Sequence, residues 1–373
     1  MQYAEIEMKV KAPIFIGSGK EIPKYGYAYI QKENAIYVMN FKKLFNSLKK
    51  WNLLDQYEEL MLQGNNGKYR CSLMEMLKAN SITEAEIKKC SSYSYTTEGN
   101  EFDKKNCQNI QEFVRDPYHM PYIPGSSLKG AIRTALLAKL VSENASMFES
   151  EKREIERIIT ARGRNIKSEL ARQTKKIESK VLFTLERNKK NSSDMLNDCF
   201  CGLQISDSDS LAYSDITLCK KIDFKPKDDD GRDMPLYREC LKPGTKVKFQ
   251  MTIDETKFGY SIQELQEAID FMNQQYHKNF LDSFEKYEIE KGTIYIGGGA
   301  GYATKTIMYL LFPREKAVEL IAKFMQCTTP RQHNHQKDVP IYHVSPHMQK
   351  STRYQDEWYD FGLCKLNFKP ETL

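Results

Sequence analysis

The residues of this sequence best suited to chemistry are cations beside glycine- and serine-rich turns, and the chemistry they suit is phosphate binding. Ile123-Pro-Gly-Ser-Ser-Leu-Lys-Gly130 opens a helix whose apolar stripe is Leu128, Ile132, Leu136 and Leu140, an i, i+4 series. Ser126 is the expected N-cap, so free N–H groups and the positive end of the helix dipole, with Gly125 and Ser127 beside them, face outward. Lys129 and Arg133 flank the stripe, where they can meet a phosphate or simply snorkel from a core helix. Gly125 and Gly130 have the spacing of a nucleotide-binding P-loop. Ala131-Ile132 stand where Lys-Ser/Thr is required, which excludes that reading.

A second candidate is Gly297-Gly-Gly-Ala-Gly301, which lets a backbone approach a ligand closely. Tyr302 can stack on a base there, and Lys305 can neutralise charge. Tyr302 also occupies the place of the third glycine of a dinucleotide fingerprint, so that reading fails too. Ile16-Gly17-Ser18-Gly19 reads as a turn after the first strand. Four of the six histidines fall in His333-x-His335 and His343-x-x-x-His347. Pro346 keeps the latter pair off a common helix face, and Cys199-x-Cys201 stands isolated. No metal site and no cofactor is expected. His119, in the loop before the phosphate-facing helix, could serve a ribonuclease as general base, though it reads more simply as a loop histidine. Asp207 and Asp209 belong to a serine-rich turn.

The charge distribution supports an anionic partner. Net charge is +6 over 373 residues, but 13 Lys and Arg against 6 Glu between Glu151 and Lys190 put +7 there and leave −1 (6 − 7) elsewhere. This block reads as helical, and Arg162, Arg164, Lys167, Arg172 and Lys175 can extend a phosphate track or dock on an acidic neighbour. No run of ~18 apolar residues occurs, so no membrane partner is expected. The first ten residues lack the apolar core of a signal peptide, and nine irregularly spaced cysteines read as reduced thiols. The expected location is the cytoplasm.

These sites must be positioned by an α+β chain. Period-2 alternation predicts strands at 3–10 and 245–253 and a hairpin from Tyr25–Ile30 and Ala35–Met39, with a further strand at 293–296. Helical periodicity predicts 41–62, 126–141, 261–287 and 315–325. Residues 63–116 read as an irregular insertion, and the tail from Thr328 as loop. The order of elements predicts ferredoxin-like, RRM-type domains with large, partly helical insertions. One such domain is expected over 1–223, with insertions at about 41–115 and 142–198. A second RRM-like portion, carrying the glycine-rich loop, is expected over 237–373, beyond a charged loop at 224–236.

Ile123-Pro-Gly-Ser-Ser-Leu-Lys-Gly-Ala-Ile-Arg133 resembles the signature helix of the CRISPR RAMP (repeat-associated mysterious protein) superfamily. Gly297-Gly-Gly-Ala-Gly-Tyr-Ala-Thr-Lys-Thr306 is similar to its C-terminal glycine-rich loop, and Ala12-Pro-Ile-Phe-Ile-Gly-Ser-Gly19 to its first strand and turn. Pro346-His-Met-Gln-Lys-Ser-Thr352 with Phe361-Gly-Leu-Cys-Lys-Leu366 narrows the resemblance to the subunits that cap the backbone of type III-A (Csm) effector complexes. The resemblance implies a non-catalytic subunit of an antiviral ribonucleoprotein that binds the 3′ portion of the CRISPR RNA guide, with target RNA in reach. It implies the repeating backbone subunit and the small helical subunit as neighbours, and guide 3′ trimming by separate host nucleases. RNA would pass Gly17 and Ser18, then Gly125, Ser126, Ser127, Lys129 and Arg133. It would follow Gly297, Gly298, Gly299, Gly301, Tyr302 and Lys305, and reach Arg164 and Lys167. The family's thumb hairpin has no clear mark here and would fall in residues 90–116. Two other classes stay open: a metal-independent endoribonuclease that processes CRISPR repeats, using His119, and an assembly cap acting mainly through protein contacts.

Overall fold

A computed structural model describes residues 1–65, 72–98, 109–227, 231–286 and 288–370. The opening alternation forms β1 (Gln2–Val10), with Ala4, Ile6, Met8 and Val10 buried on one face. Then come β2 (Gly17–Ile22) and the hairpin of β3 (Tyr27–Ile30) and β4 (Ala35–Met39). Helices α1 (Phe41–Trp51), α2 (Leu54–Asn65), α3 (Leu73–Ala79) and α4 (Glu84–Lys89) follow. They close a small core in which Leu44, Leu48, Leu73 and Leu77 meet Ala28, Ile30 and Met39.

Strands β5 (Ser91–Thr96) and β6 (Ile110–Phe113) lead to α5 (Gly125–Glu143), the predicted phosphate-facing helix. The basic block forms α6 (Glu149–Ala161) and α7 (Ile166–Leu182). Next are β7 (Leu203–Ile205), β8 (Ile216–Phe224), β9 (Arg232–Leu241) and β10 (Lys246–Ile253). After α8 (Glu255–Phe258) and α9 (Ile262–Asn279), β11 (Thr293–Tyr295) runs into the glycine loop. The chain continues through α10 (Met308–Leu311), α11 (Arg314–Thr328), β12 (Gln349–Tyr354), β13 (Glu357–Asp360) and β14 (Leu363–Pro370).

Five strands form an antiparallel sheet in the order β11-β14-β1-β10-β7. Read along the chain, β1, α5, β7, β10, α9 and β14 make a βαββαβ path, the ferredoxin-like unit expected. Ile6 stands opposite Phe249 and Met8 opposite Val247. These residues share one core with Leu128, Ile132 and Leu136 of α5 and Leu265 and Ile269 of α9. Each fully buried Leu or Ile there contributes about 1.5–3 kcal/mol. A second sheet runs β2-β6-β9-β8-β5-β4-β3, with β12 on β8 and β13 on β12.

The structure departs from expectation in several places: the turn expected at 16–19 opens β2, the helix expected over 41–62 breaks into α1 and α2, and three further regions differ. Residues 91–96 and 110–113 are strands of the second sheet, although their serines and glutamine conceal the inward Tyr95, Ile110 and Phe113. The tail carries β12 to β14, and β14 pairs directly with β1, with Cys364, Leu366 and Phe368 buried in alternation. The charged loop near 224–236 is the β8–β9 hairpin connection, and the βαββαβ path draws strands from both sides of it. Asp, Gly and Lys mark a solvated hairpin as readily as a linker. Of the region suggested for a thumb, residues 99–108 lie outside the described residues.

Candidate nucleic-acid interface

The N-terminus of α5 is held more tightly than its sequence suggests. Pro124, not Ser126, occupies the cap position, and no side chain of the helix caps it. The cap comes from the serine-rich turn instead. Gly125 donates its N–H to the Asp207 carboxylate at 2.9 Å, and Ile123 donates to the Ser208 hydroxyl at 2.9 Å. A carboxylate of the chain thus already answers the helix dipole. Gly125 is a close-approach residue, since a Cβ there would lie 2.2 Å from the Ile205 carbonyl oxygen. Ser126 is exposed and Ser127 half-buried.

Lys129 and Arg133 turn inward rather than to an open flank. Lys129 Nζ donates to the Leu203 carbonyl at 2.7 Å, and burial lowers its pKa. Arg133 pairs with Asp198 at 2.8 Å and Glu178 at 2.9 Å, its guanidinium 4.9 Å from the Phe200 ring centre. Burial works against that charge, but hydrogen bonds to Asp198 and Glu178 outweigh it and raise the pKa. The two cations fasten α5 to β7 and α7.

The glycine loop is likewise built into the fold. Gly297 has φ +78°, and a Cβ there would lie 2.3 Å from the Phe15 carbonyl oxygen. Gly298 donates its N–H to that oxygen at 2.7 Å. Gly299, at φ +92°, lies against the Arg238 guanidinium, which sits between the Phe15 and Phe361 rings. Gly17 lies against the Phe15 ring, and the Ser18 hydroxyl donates to Glu112 at 2.9 Å. The start of β2 and the glycine loop therefore meet at Phe15. Gly301 approaches the Lys350 side chain, and Tyr302 leans on Phe324 with its hydroxyl engaged by Thr306. Lys305 is exposed, donates to the Gly297 carbonyl at 2.9 Å, and has its pKa lowered by desolvation.

Between α5, α9 and β11 lies a cavity of about 290 Å³ where the two motifs converge. Ser126, Ser127 and Gly130 line it from α5, and Gly297 and Lys305 from the glycine loop. Thr134, Asn273 and Thr293 also line it, and sequence reasoning missed all three. Asn273 was detectable: it is a buried polar residue inside the apolar stripe of Ile269, Met272 and Tyr276. The cavity does not include Lys129, Arg133, Tyr302, Arg164 or Lys167.

Around the α6–α7 turn the cations are of another kind. Arg162, Arg164, Lys167, Arg172 and Lys175 are exposed. None of them has an ion-pair partner among the described residues. His119 is exposed in a left-handed turn at φ +68°, with no hydrogen-bond partner for its imidazole among the described residues. Its carbonyl accepts from Tyr213 Oη at 2.5 Å.

The C-terminal histidines are brought together by a residue the spacing argument did not use. His335 Nδ1 and His347 Nδ1 stand 3.0 and 2.5 Å from the two oxygens of the fully buried Asp338, and Ser345 Oγ donates to it at 2.6 Å. The two imidazoles and the carboxylate come close enough to hold a metal ion. Their spacings are those of direct hydrogen bonds that occupy both Asp338 oxygens, and they serve the fold as a hub.

Residues 7–302 match the family described as the RAMP superfamily, and the chain belongs to it. Its relatives include the CRISPR system Cms protein Csm5 of Streptococcus thermophilus, 27% identical over 311 residues, or 81% of this chain and 79% of that protein. Csm5 of Mycobacterium tuberculosis is 24% identical over 391 residues, 98% of this chain and 97% of that one. Among solved structures, a chain of a Csm–crRNA–target RNA ternary complex from a type III-A CRISPR-Cas system superposes with a TM-score of 0.68. The identity is 18%, with 98% of this chain and 100% of that chain covered. The crystal structure of T. onnurineus Csm5 superposes with a TM-score of 0.58 at 17% identity, covering 96% and 99%. The family resemblance expected from the signature helix and glycine loop therefore holds, and it runs to Csm5 proteins.

Proposed function

We propose that the chain is the Csm5-type subunit of a type III-A Csm effector complex, binding the 3′ portion of the guide RNA and capping the backbone without cutting RNA. The observation that carries this reading is the convergence of Ser126, Ser127, Gly297 and Lys305 on one cavity. An exposed serine hydroxyl, a glycine backbone and an exposed lysine at one opening suit a sugar-phosphate chain. The unpaired cations from Arg162 to Lys175 extend the positive surface, and RNA enters along them. Lys129 and Arg133 act here as positioning residues that hold α5 in place.

Membership of the RAMP superfamily and the likeness to Csm5 proteins support this reading. In it the partners are guide and target RNA, the repeating and small helical subunits and, for 3′ trimming, host nucleases, all in the cytoplasm. The two halves named from the sequence, 1–223 and 237–373, then act as one RNA-holding body. Among the described residues His119 has no orienting partner of the kind a general base needs, which favours a non-catalytic role.

The test is to incubate the purified chain with labelled CRISPR RNA and read retention and cleavage from one sample. Retention that falls steeply with salt, with the RNA intact, is expected. Metal-independent cleavage that disappears in His119→Ala would establish the nuclease instead.

A further inference from the structure

Gly130 stands in the second turn of α5, at an exposed position with ordinary helical backbone, and nothing lies within 4 Å of where its Cβ would be. Neither turn geometry nor close packing requires a glycine there, and a helix-interior glycine costs stability relative to alanine. Its one structural consequence is space, because Gly130 lines the cavity between α5, α9 and β11. At about 290 Å³ this cavity is at the small end of ligand sites, which run from roughly 300 to 1,000 Å³, so it suits one ring-sized group.

The lining indicates which group. Ile269, Met272, Ile294 and Ile296 supply apolar surface. Asn273 is 95% buried by its 5% exposure, and its amide nitrogen is held by Thr293 Oγ1 at 2.6 Å. Among the described residues its Oδ1 has no donor, and an orphaned buried acceptor is costly. Lys305 and Ser126 also line the cavity, so a cation and a hydroxyl are available to a phosphate of the same nucleotide.

We propose that this cavity receives one unstacked nucleobase of the bound RNA, and that the base carries an exocyclic amino group donated to Asn273 Oδ1. The proposal rests on the RNA-binding reading above and adds a base preference to it. Cytosine fits, whereas uracil would turn its own carbonyl oxygen toward the amide oxygen.

The experiment measures the affinity of the full chain for fluorescent oligo(C) and oligo(U) of equal length, in the parent, Gly130→Leu and Thr134→Leu. Both variants fill the cavity, and a thermal melt confirms that each is folded. The parent is expected to favour oligo(C) about tenfold, the worth of one hydrogen bond that would otherwise go unmade. Either filled variant should lose that preference while still binding RNA through its surface cations. Equal binding of both oligomers by the parent overturns the base pocket and leaves the RNA-binding reading intact. A cytosine preference that survives in the folded filled variants overturns this cavity as its seat. A parent that retains neither oligomer overturns the RNA-binding reading and the pocket with it.

Discussion

The signature helix α5 and the turn between α6 and α7 both carry cations, yet the two sets are used differently. On α5, Lys129 donates to a backbone carbonyl and Arg133 pairs with two carboxylates over an aromatic ring. At the turn, Arg164 and Lys167 stand exposed with no such partners among the described residues. A basic residue inside a recognisable motif can thus belong to the architecture, while cations without a motif remain free for an anion. Free charges cost little to redirect, because a solvated guanidinium need break no buried pair to meet a phosphate.

The largest effect should come from the helix. Arg133→Ala leaves Asp198, with 9% of its side chain exposed, without its cation. Breaking a fully buried pair costs about 3–5 kcal/mol. Arg133 is itself partly exposed, so the expected loss is about 2–3 kcal/mol in urea denaturation. A variant of parental stability whose RNA affinity collapses would reverse the roles assigned to the two regions. The combined change Arg164→Ala, Lys167→Ala and Arg172→Ala should do the opposite. Stability should stay within about 0.5 kcal/mol, as for surface substitutions generally. The slope of log affinity against log salt should become shallower by about 2, at roughly 0.7 per single-strand phosphate contact. An unchanged slope would move the RNA path away from α6 and α7.

How much of this contrast a sequence can carry depends on how local its cause is. The α5 stripe of Leu128, Ile132 and Leu136 and the alternation of β1 and β10 are written in neighbouring residues, and all three elements form as expected. The place of β14 beside β1 is not written locally, because its partner lies at the far end of the chain. The same limit applies at the site. Ser126, Ser127, Gly297 and Lys305 were legible as candidates, while their shared cavity exists only through the packing of α5 on α9. The carboxylates that claim Arg133 lie 45 and 65 residues away, so the charge pattern around the motif gives no sign of them. Asp207 shows the same effect in reverse, a turn residue in sequence and a helix cap in space.

A smaller test concerns the glycine between the two cations of α5. Gly130→Ala adds a methyl where nothing lies within 4 Å, so it should stabilise the chain by about 0.5–1 kcal/mol. A loss of stability in the same denaturation assay would show that the backbone there is strained and that space is not why glycine is present.

A last test separates charge from shape at Lys129. Its ammonium is desolvated, so the folded chain holds that proton less firmly than the unfolded chain does. Between the lowered folded value and the ordinary lysine value near 10.4, the unfolded state therefore binds more protons, and stability contributed by this group rises with pH. Lys129→Met keeps the length of the side chain and removes the ammonium. It should cost about 1 kcal/mol near neutral pH, the worth of one hydrogen bond to the Leu203 carbonyl. In a denaturation series from pH 7 to 10, the parent should gain on the variant as pH rises, while the salt dependence of RNA binding stays the same in both. A shallower salt slope in Lys129→Met would mean that its ammonium leaves Leu203 for a phosphate when RNA arrives, and that the cations of α5 are shared between fold and ligand.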